Sequence, residues 1–330
     1  MMAEKTSFYA SQLRREIALR NRRYARGRPH VESYGSAPVI VYAPEGDRHG
    51  NFFAAAYAEI LQRPEWLRRF DKVHAQARRS LPKAERRWRE LDSSMSSDAL
   101  MMNVFCTPGV VESHAAMSAL GVDANAAPVF GWKARVPLKS GRFDRTEVDM
   151  RLGQLLVEAK LTEGDFQTCT AEVVEKYRDF DEVFDRELLP RVELVVSRRK
   201  QPIEFPEDYS QEYEQVSETD LFVAPEKPLI ADVTVGYASY QLIRNVLAAY
   251  ASGASFCVIH DQRRPDLREA WFEVISAIKS ALMRVRLKTL TWQELAAFLP
   301  SELQNFLDLK YGIVAPGRTP SPVEETAELD

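Results

Sequence analysis

The spacing of apolar and polar residues changes several times along the chain, and each change marks a predicted element. Gln12 to Arg28 sets Ile17 and Leu19 among seven arginines, Arg14, Arg15, Arg20, Arg22, Arg23, Arg26 and Arg28. That pattern predicts a short helix or a partly ordered basic arm. Pro38 to Tyr42 reads as a strand. A helix follows, with Asn51 placed to cap it and Phe52, Phe53, Tyr57 and Ile60 as its apolar face. Trp66 to about Leu91 is strongly basic and predicts a helical hairpin or one helix interrupted at Pro82. Its buried stripe would be Trp66, Phe70, Val73, Ala77, Leu81 and Trp88. Ser96 to Phe105 reads as a capped helix, and a second runs from about Val111 to Leu120, ending at Gly121.

The period then shortens to two. Val129 to Arg135 and Arg142 to Met150 read as strands, and Leu155-Leu156-Val157 carries Glu158 and Lys160 into another. Between them Arg151-Leu152-Gly153-Gln154 is short enough to close a hairpin, with Gly153 free to take positive φ. A turn centred on Leu152-Gly153 would pair Asp149 with Leu156 and Glu147 with Glu158. Glu147, Asp149, Glu158 and Lys160 would then share one side of the ribbon. Further on, the pattern predicts a helix over about 170–189, a helix from Ser239 to Gly253, and a buried strand from Ala254 to His260. A helix over 266–283 and a strand over Leu287–Leu290 follow. Thr291 with Glu294, and Ser301 with Gln304, predict capping-box starts.

Composition narrows the class. The 330 residues carry 45% hydrophobic and 28% charged positions, ordinary for a soluble globular protein long enough to bury a large core. A net charge of −4 does not by itself announce a nucleic-acid binder, so the distribution of charge matters more. Cys106, Cys169 and Cys257 are far apart and form no CxxC pair, which points to a reducing cytoplasm and away from a zinc site. No apolar run reaches the roughly 20 residues of a membrane span. Residues 201–228 are acidic and read as a surface insertion or a cover over a basic groove. Residues 313–330 read as a disordered tail.

The chemistry concentrates in the hairpin. Facing carboxylates repel unless a cation lies between them. Oxygen donors without Cys or His suit a hard ion, Mg²⁺ with Mn²⁺ able to substitute. Lys160 in the same cluster could hold an attacking water, so the implied reaction is metal-assisted hydrolysis of a phosphodiester. A plain surface hairpin with alternating charges is the competing reading of these residues. His49, Glu112 and His114 are weaker candidates with no demanding spacing.

Asp149, the hairpin and Glu158-Ala159-Lys160 resemble the D…(D/E)xK signature of the PD-(D/E)xK restriction-endonuclease-like superfamily. His49–Ile60, Ser96–Phe105, Val157–Phe166, Tyr240–Ala249 and Thr291–Pro300 are similar, in that order, to a bacterial group within it. The resemblance implies a restriction-endonuclease-like core over 91–312, a mixed sheet flanked by helices. A basic, helical N-terminal elaboration over 1–90 would precede it. It implies metal held by Asp149, Glu158 and the Ala159 carbonyl, with Gln241 supporting the site or meeting a phosphate. Lys160 would position or deprotonate water, and Glu147 and Glu163 are second-tier candidates. The expected activity is a Mg²⁺-dependent DNA endonuclease. Arg22, Arg23, Arg78, Arg79, Arg86 and Arg87 would lie on the nucleic-acid backbone, and a homodimer is among the expected assemblies. Val148 stands where the motif name has Pro, and Asp98 where an amide is expected. The alternatives are the same fold binding nucleic acid without cutting it, and a helical interaction protein with no sheet site.

Overall fold

The computed structural model describes residues 2–33, 39–72, 89–197 and 231–320. Helix α1 (Met2–Tyr24) opens the chain, and two small antiparallel ribbons follow, β1 (His30–Glu32) with β2 (Ile40–Tyr42) and β3 (Pro44–Glu45) with β4 (Arg48–His49). Helices α2 (Ala54–Gln62), α3 (Pro64–Leu67), α4 (Ser97–Phe105) and α5 (His114–Leu120) lead to three strands, β5 (Pro128–Pro137), β6 (Phe143–Leu152) and β7 (Leu155–Ala159). Beyond β8 (Cys169–Thr170) come two single turns, α6 (Ala171–Val174) and α7 (Phe180–Val183). Strands β9 (Arg191–Ser197) and β10 (Ala231–Tyr237) then join β8 in a three-stranded antiparallel sheet. The chain continues through α8 (Tyr240–Ser252), β11 (Ser255–His260), α9 (Pro265–Ser276) and α10 (Ala281–Arg284). It closes with β12 (Leu287–Thr291), α11 (Trp292–Ala296) and α12 (Ser301–Tyr311).

The central sheet is mixed and five-stranded, in the order β12-β11-β7-β6-β5. Strand β7 is its middle member, parallel to β11 and antiparallel to β6, and every one of its residues is buried. Helices cover both faces, which is what leaves a short strand buried at each position. Leu155, Val157 and Ala159 pack with Leu13 and Ile17 of α1, Met101 of α4 and Trp292 of α11. Leu156 points the other way, into Ile243 and Val246 of α8 and Trp271 of α9. Glu158 shares the parity of Leu156, so it faces α8.

The basic N-terminal stretch is therefore no loose arm. Leu13, Ile17 and Ala25 of that stretch are buried, and its arginines ride on the rest of the helix surface, Arg22 pairing with Glu32 at 3.4 Å. Leu19, by contrast with Ile17, is half exposed. Several local expectations also change. Residues 170–189 form two separate turns rather than one helix, because Tyr177 is drawn out to bridge Leu138 and Phe184 to bridge Ile278. Asn51 does not cap α2; its amide donates to the carbonyls of Leu91 and Ser93. The capping box at Thr291–Glu294 forms, whereas α12 starts after Pro300 with no side-chain cap. Ile313 and Ala315 are buried and Arg318 bonds Gln304, so the chain stays packed past α12, while 321–330 lie outside the described residues.

Helices α1 and α12 are joined through an unusual interior group. Lys310 is fully buried, donates to Asn21 Oδ1 and lies 4.3 Å from the Tyr42 ring centre, with the Tyr24 and Tyr311 rings also around it. Burial, with Arg28 adding to it, drives the Lys310 ammonium well below its usual range. The unfolded lysine, titrating near 10.5, thus keeps its proton over a window where the folded one has lost it. More protons on the unfolded state means stability rises with pH across that window. Lys310→Met is expected to have a Tm at or above that of the native chain at neutral pH, and the difference should shrink as pH climbs towards 10.5. A thermal-melt series over pH checks this; a pH-independent difference would contradict it.

Candidate active site

The hairpin forms, with its turn one residue later than the strand pattern suggests. Leu152 pairs with Leu155, Arg151 with Leu156 and Met150 with Val157, so Gly153 (φ 58°) and Gln154 make the turn. One step further out, Asp149 stands across from Glu158 rather than from Leu156. The regular ladder stops there. The Ala159 N–H donates instead to Asp149 Oδ2 at 2.8 Å, a side chain replacing a main-chain acceptor.

Strand β6 also turns over at this point. Met150 and Leu152 fill the core on one face of the sheet, while Val148, only two residues earlier, lies in the core on the other. Opposite Asp149 on β5 sits Gly131, with φ 61°. A Cβ there would meet Arg69 Nη1 at 2.3 Å and would strain the backbone. The break in alternation frees the Asp149 carboxylate to turn towards β7.

Glu158 and Lys160 are both buried, and their charges meet at 2.8 Å between Oε1 and Nζ. The other Glu158 oxygen accepts from Asn245 Nδ2 at 2.8 Å. Lys160 Nζ also donates to Gln241 Oε1 at 2.9 Å and lies 5.5 Å from the Phe166 ring centre. Gln241 and Asn245 are four apart on α8, so one helix face supplies both contacts. The main chain of Lys160 is pinned too: its N–H donates to Ile259 O and its carbonyl accepts from Trp292 Nε1 at 3.0 Å.

These groups open on a cavity of about 480 Å³ whose walls hold Asp149, Glu158, Lys160, Glu163 and Gln241. Among the described residues, Asp98, Glu90 and Asp165 bring its carboxylates to six, against Arg14, Lys72 and Lys160 as cations. The excess of negative charge has consequences. Burial, Glu158 and Asp98 push the Asp149 carboxyl well above the usual carboxylate range, with Lys160 pulling back. Burial would depress Lys160, but Glu158, Glu163 and Asp149 outweigh it and hold its ammonium above its normal range.

A second charge group forms the adjoining wall. Arg69 donates to Asp98 Oδ2 at 2.7 Å and to Glu147 Oε1 at 2.6 Å, and Lys72 meets Asp98 at 3.2 Å. Burial alone would raise Glu147, but hydrogen bonds from Lys133 and Arg69 take it down to about 2. Glu147 is committed to these cations and does not line the cavity.

A family model described as REase-ARP, Restriction Endonuclease associating with ARP, matches residues 12–312. That is nearly the whole chain. The chain belongs to the REase-ARP family. No curated protein and no solved structure matches it at a significant level.

Within this REase-ARP chain, the structure brings together Asp149, Glu158, Ala159, Lys160, Glu163 and Gln241 of the residues singled out from sequence. Glu163 is there, but its oxygens already accept from Leu161 N at 2.6 Å and from Ser97 Oγ. Glu147 belongs to the neighbouring ion network. Glu112 and His114 are exposed, away from the cavity, and His49 is buried between Asp92 and the Asn51 N–H. Arg22 and Arg23 lie in the last turn of α1, whereas Arg78, Arg79, Arg86, Arg87 and the acidic 201–228 segment fall outside the described residues. Sequence reading missed Asn245, Arg14 and the Arg69–Asp98 pair as neighbours of the site. Asn245 had a signal: it falls one turn after Gln241 on the same predicted helix.

Proposed function

We propose that this REase-ARP chain is a metal-dependent phosphodiester hydrolase of the PD-(D/E)xK type, a Mg²⁺-dependent DNA endonuclease. The observation that carries the reading is the meeting of Asp149 and Glu158 across the end of one hairpin, with Lys160 buried against Glu158. The donor set fits a hard ion. It consists of carboxylate oxygens and the Ala159 carbonyl, in a pocket where Asp149 is short of positive charge. Among the described residues no group of three or more His, Cys, Asp or Glu gathers as ligands. Magnesium is commonly held by one or two carboxylates, with water and substrate phosphate completing its shell. Asp149, Glu158 and Ala159 would hold the ion, which supplies charge to the phosphate and lowers the pKa of a bound water.

The chain's own residues do the rest. Lys160, held beside Glu158, donates a hydrogen bond to the attacking water or to a phosphate oxygen. Gln241 aims that ammonium group, and Asn245 orients Glu158. The full satisfaction of Glu158 by Lys160 and Asn245 also suits a second reading: a nuclease-fold module that binds nucleic acid and does not cut.

Calorimetric titration with Mn²⁺ or Mg²⁺ separates the two. Saturable binding lost in Glu158→Gln, together with plasmid nicking lost in Asp149→Ala, is the expected result. No heat at millimolar metal, or equal nicking by native and variant chains, would remove the enzyme assignment.

A further inference from the structure

Towards the other end of α1 lies a second cavity, of about 790 Å³, bounded by the chain after Tyr24, the β3–β4 ribbon, the start of α2 and α12. Arg26, Arg28 and Arg48 line it against Glu45 and Glu302, so it is net cationic where the reactive cleft is net anionic. Tyr24 and Phe53, both part-exposed, supply an aromatic wall, and the Arg28 guanidinium already lies 4.0 Å from the Tyr24 ring centre. Arg26 and Arg48 are exposed, and among the described residues neither is engaged in an ion pair.

A polyanion is held mainly by cations on its phosphates. Among the described residues the cleft carries six carboxylates and three cations, a balance poorly suited to be that anchor. Among the same residues the second cavity offers cations free of ion pairs. We infer that the Arg26–Arg28–Arg48 cavity binds a nucleotide unit, its phosphate on the arginines and its base against the aromatic wall. This rests on the nuclease reading and names where that substrate is gripped. Arg14 borders the cleft and Tyr24 the cavity, on one helix. At 1.5 Å per residue they are about 15 Å apart along its axis. A strand in duplex advances about 3.4 Å per nucleotide, so a strand running past both residues would span at least about four nucleotides between them.

The unit belongs either to the strand being cut or to a free nucleotide, and one experiment tells them apart. Fluorescence anisotropy with a labelled single-stranded DNA of about ten nucleotides, and competition by ATP or inorganic phosphate, would be run on the full chain carrying Asp149→Asn. The same chain with Arg26→Ala and Arg48→Ala added is the comparison. Both arginines are exposed, and an unchanged Tm controls for folding. DNA affinity at least about tenfold lower, with a salt dependence shallower by roughly 0.7 for each phosphate no longer neutralised, is expected if the strand is gripped. ATP binding that disappears with the arginines while DNA binding holds would assign the cavity to a free nucleotide. Unaltered affinity and salt slope for every probe, or no binding to the parent chain, would overturn the inference. Mn²⁺ heats, recorded on chains with native Asp149 with and without the two arginine substitutions, report on the cleft alone. They keep a failure here distinct from a failure of the nuclease reading.

Discussion

Lys160→Met is expected to reduce phosphodiester cleavage by about 10²–10³-fold, the usual consequence of removing one preorganised charge donor from an enclosed site. It should also destabilise the metal-free chain by about 3–5 kcal/mol, since Glu158 would be left buried with its charge uncompensated. Asn245 still donates to Glu158 Oε2, but an amide hydrogen bond does not neutralise a carboxylate. The two effects can be pulled apart. Adding Glu158→Gln removes the stranded charge, so the double variant should regain most of the stability and none of the rate. Added Mn²⁺ should raise the Tm of the single variant more than that of the double, because a ligand that binds only the folded state stabilises by mass action. Thermal melts and single-turnover cleavage measure both quantities. A single variant with native Tm would mean that the Lys160–Glu158 pair is not the closed contact described here.

The second large effect lies outside the Asp149–Glu158–Lys160 cluster. Arg264 is fully buried, grips Asp266 at 2.7 Å, and donates to the carbonyls of Glu163 at 2.6 Å and Gly164 at 2.9 Å. It thereby fastens the loop that follows Lys160 to the start of α9. Arg264→Ala would strand a buried carboxylate and two carbonyls, at a cost of about 3–5 kcal/mol. With an unfolding entropy of about 2.1 cal/mol/K per residue over 330 residues, that is a fall in Tm of roughly 4–7 °C. Arg264→Lys keeps the charge but loses the planar fork that reaches carboxylate and carbonyls together, so it too should lose both Tm and cleavage. Arg264→Met with Asp266→Leu leaves no unpaired charge and should cost less than Arg264→Ala alone. If the double change proves the more harmful, the clamp acts through packing and not through charge.

Much of the centre of the molecule was readable from residue order. The period-two runs around Gly153 gave a hairpin, and the parity of Glu158 and Lys160 put both on one face of a buried strand. The position of the turn was misjudged because both Gly153 and Gln154 could occupy it, and the strand pattern is nearly blind to a shift of two in the pairing. Such a shift leaves every side chain on its own face, so it changes only who stands opposite whom. Here it matters, since it sets Asp149 against Glu158.

The charge runs were less informative. Seven arginines between Gln12 and Arg28 fit a short helix or a partly ordered basic arm equally, and buried Leu13 and Ile17 make that stretch a helix packed on the core. Arg69 and Lys72 belong to a strongly basic stretch whose charges fit a solvated face or a backbone contact, and they instead neutralise Asp98 and Glu147 in the wall of the site. A run of like charges does not say which of its members will find an acid from a distant segment.

What the sequence determined alone is what repeats locally: strand and helix periods, the cap at Ser96, the box at Thr291, and an anionic and a cationic residue two apart on one strand. The tertiary structure alone decided which distant groups close around them. Asn245 reaches Glu158 across 87 residues and Arg264 reaches Glu163 across 101. Those meetings exist because β11 enters the sheet beside β7 and carries α8 and α9 onto the same face. Local periodicity follows from backbone geometry within a few residues. The balance of charge in a buried pocket depends on every element packed around it, and that sum is known only once the chain is folded.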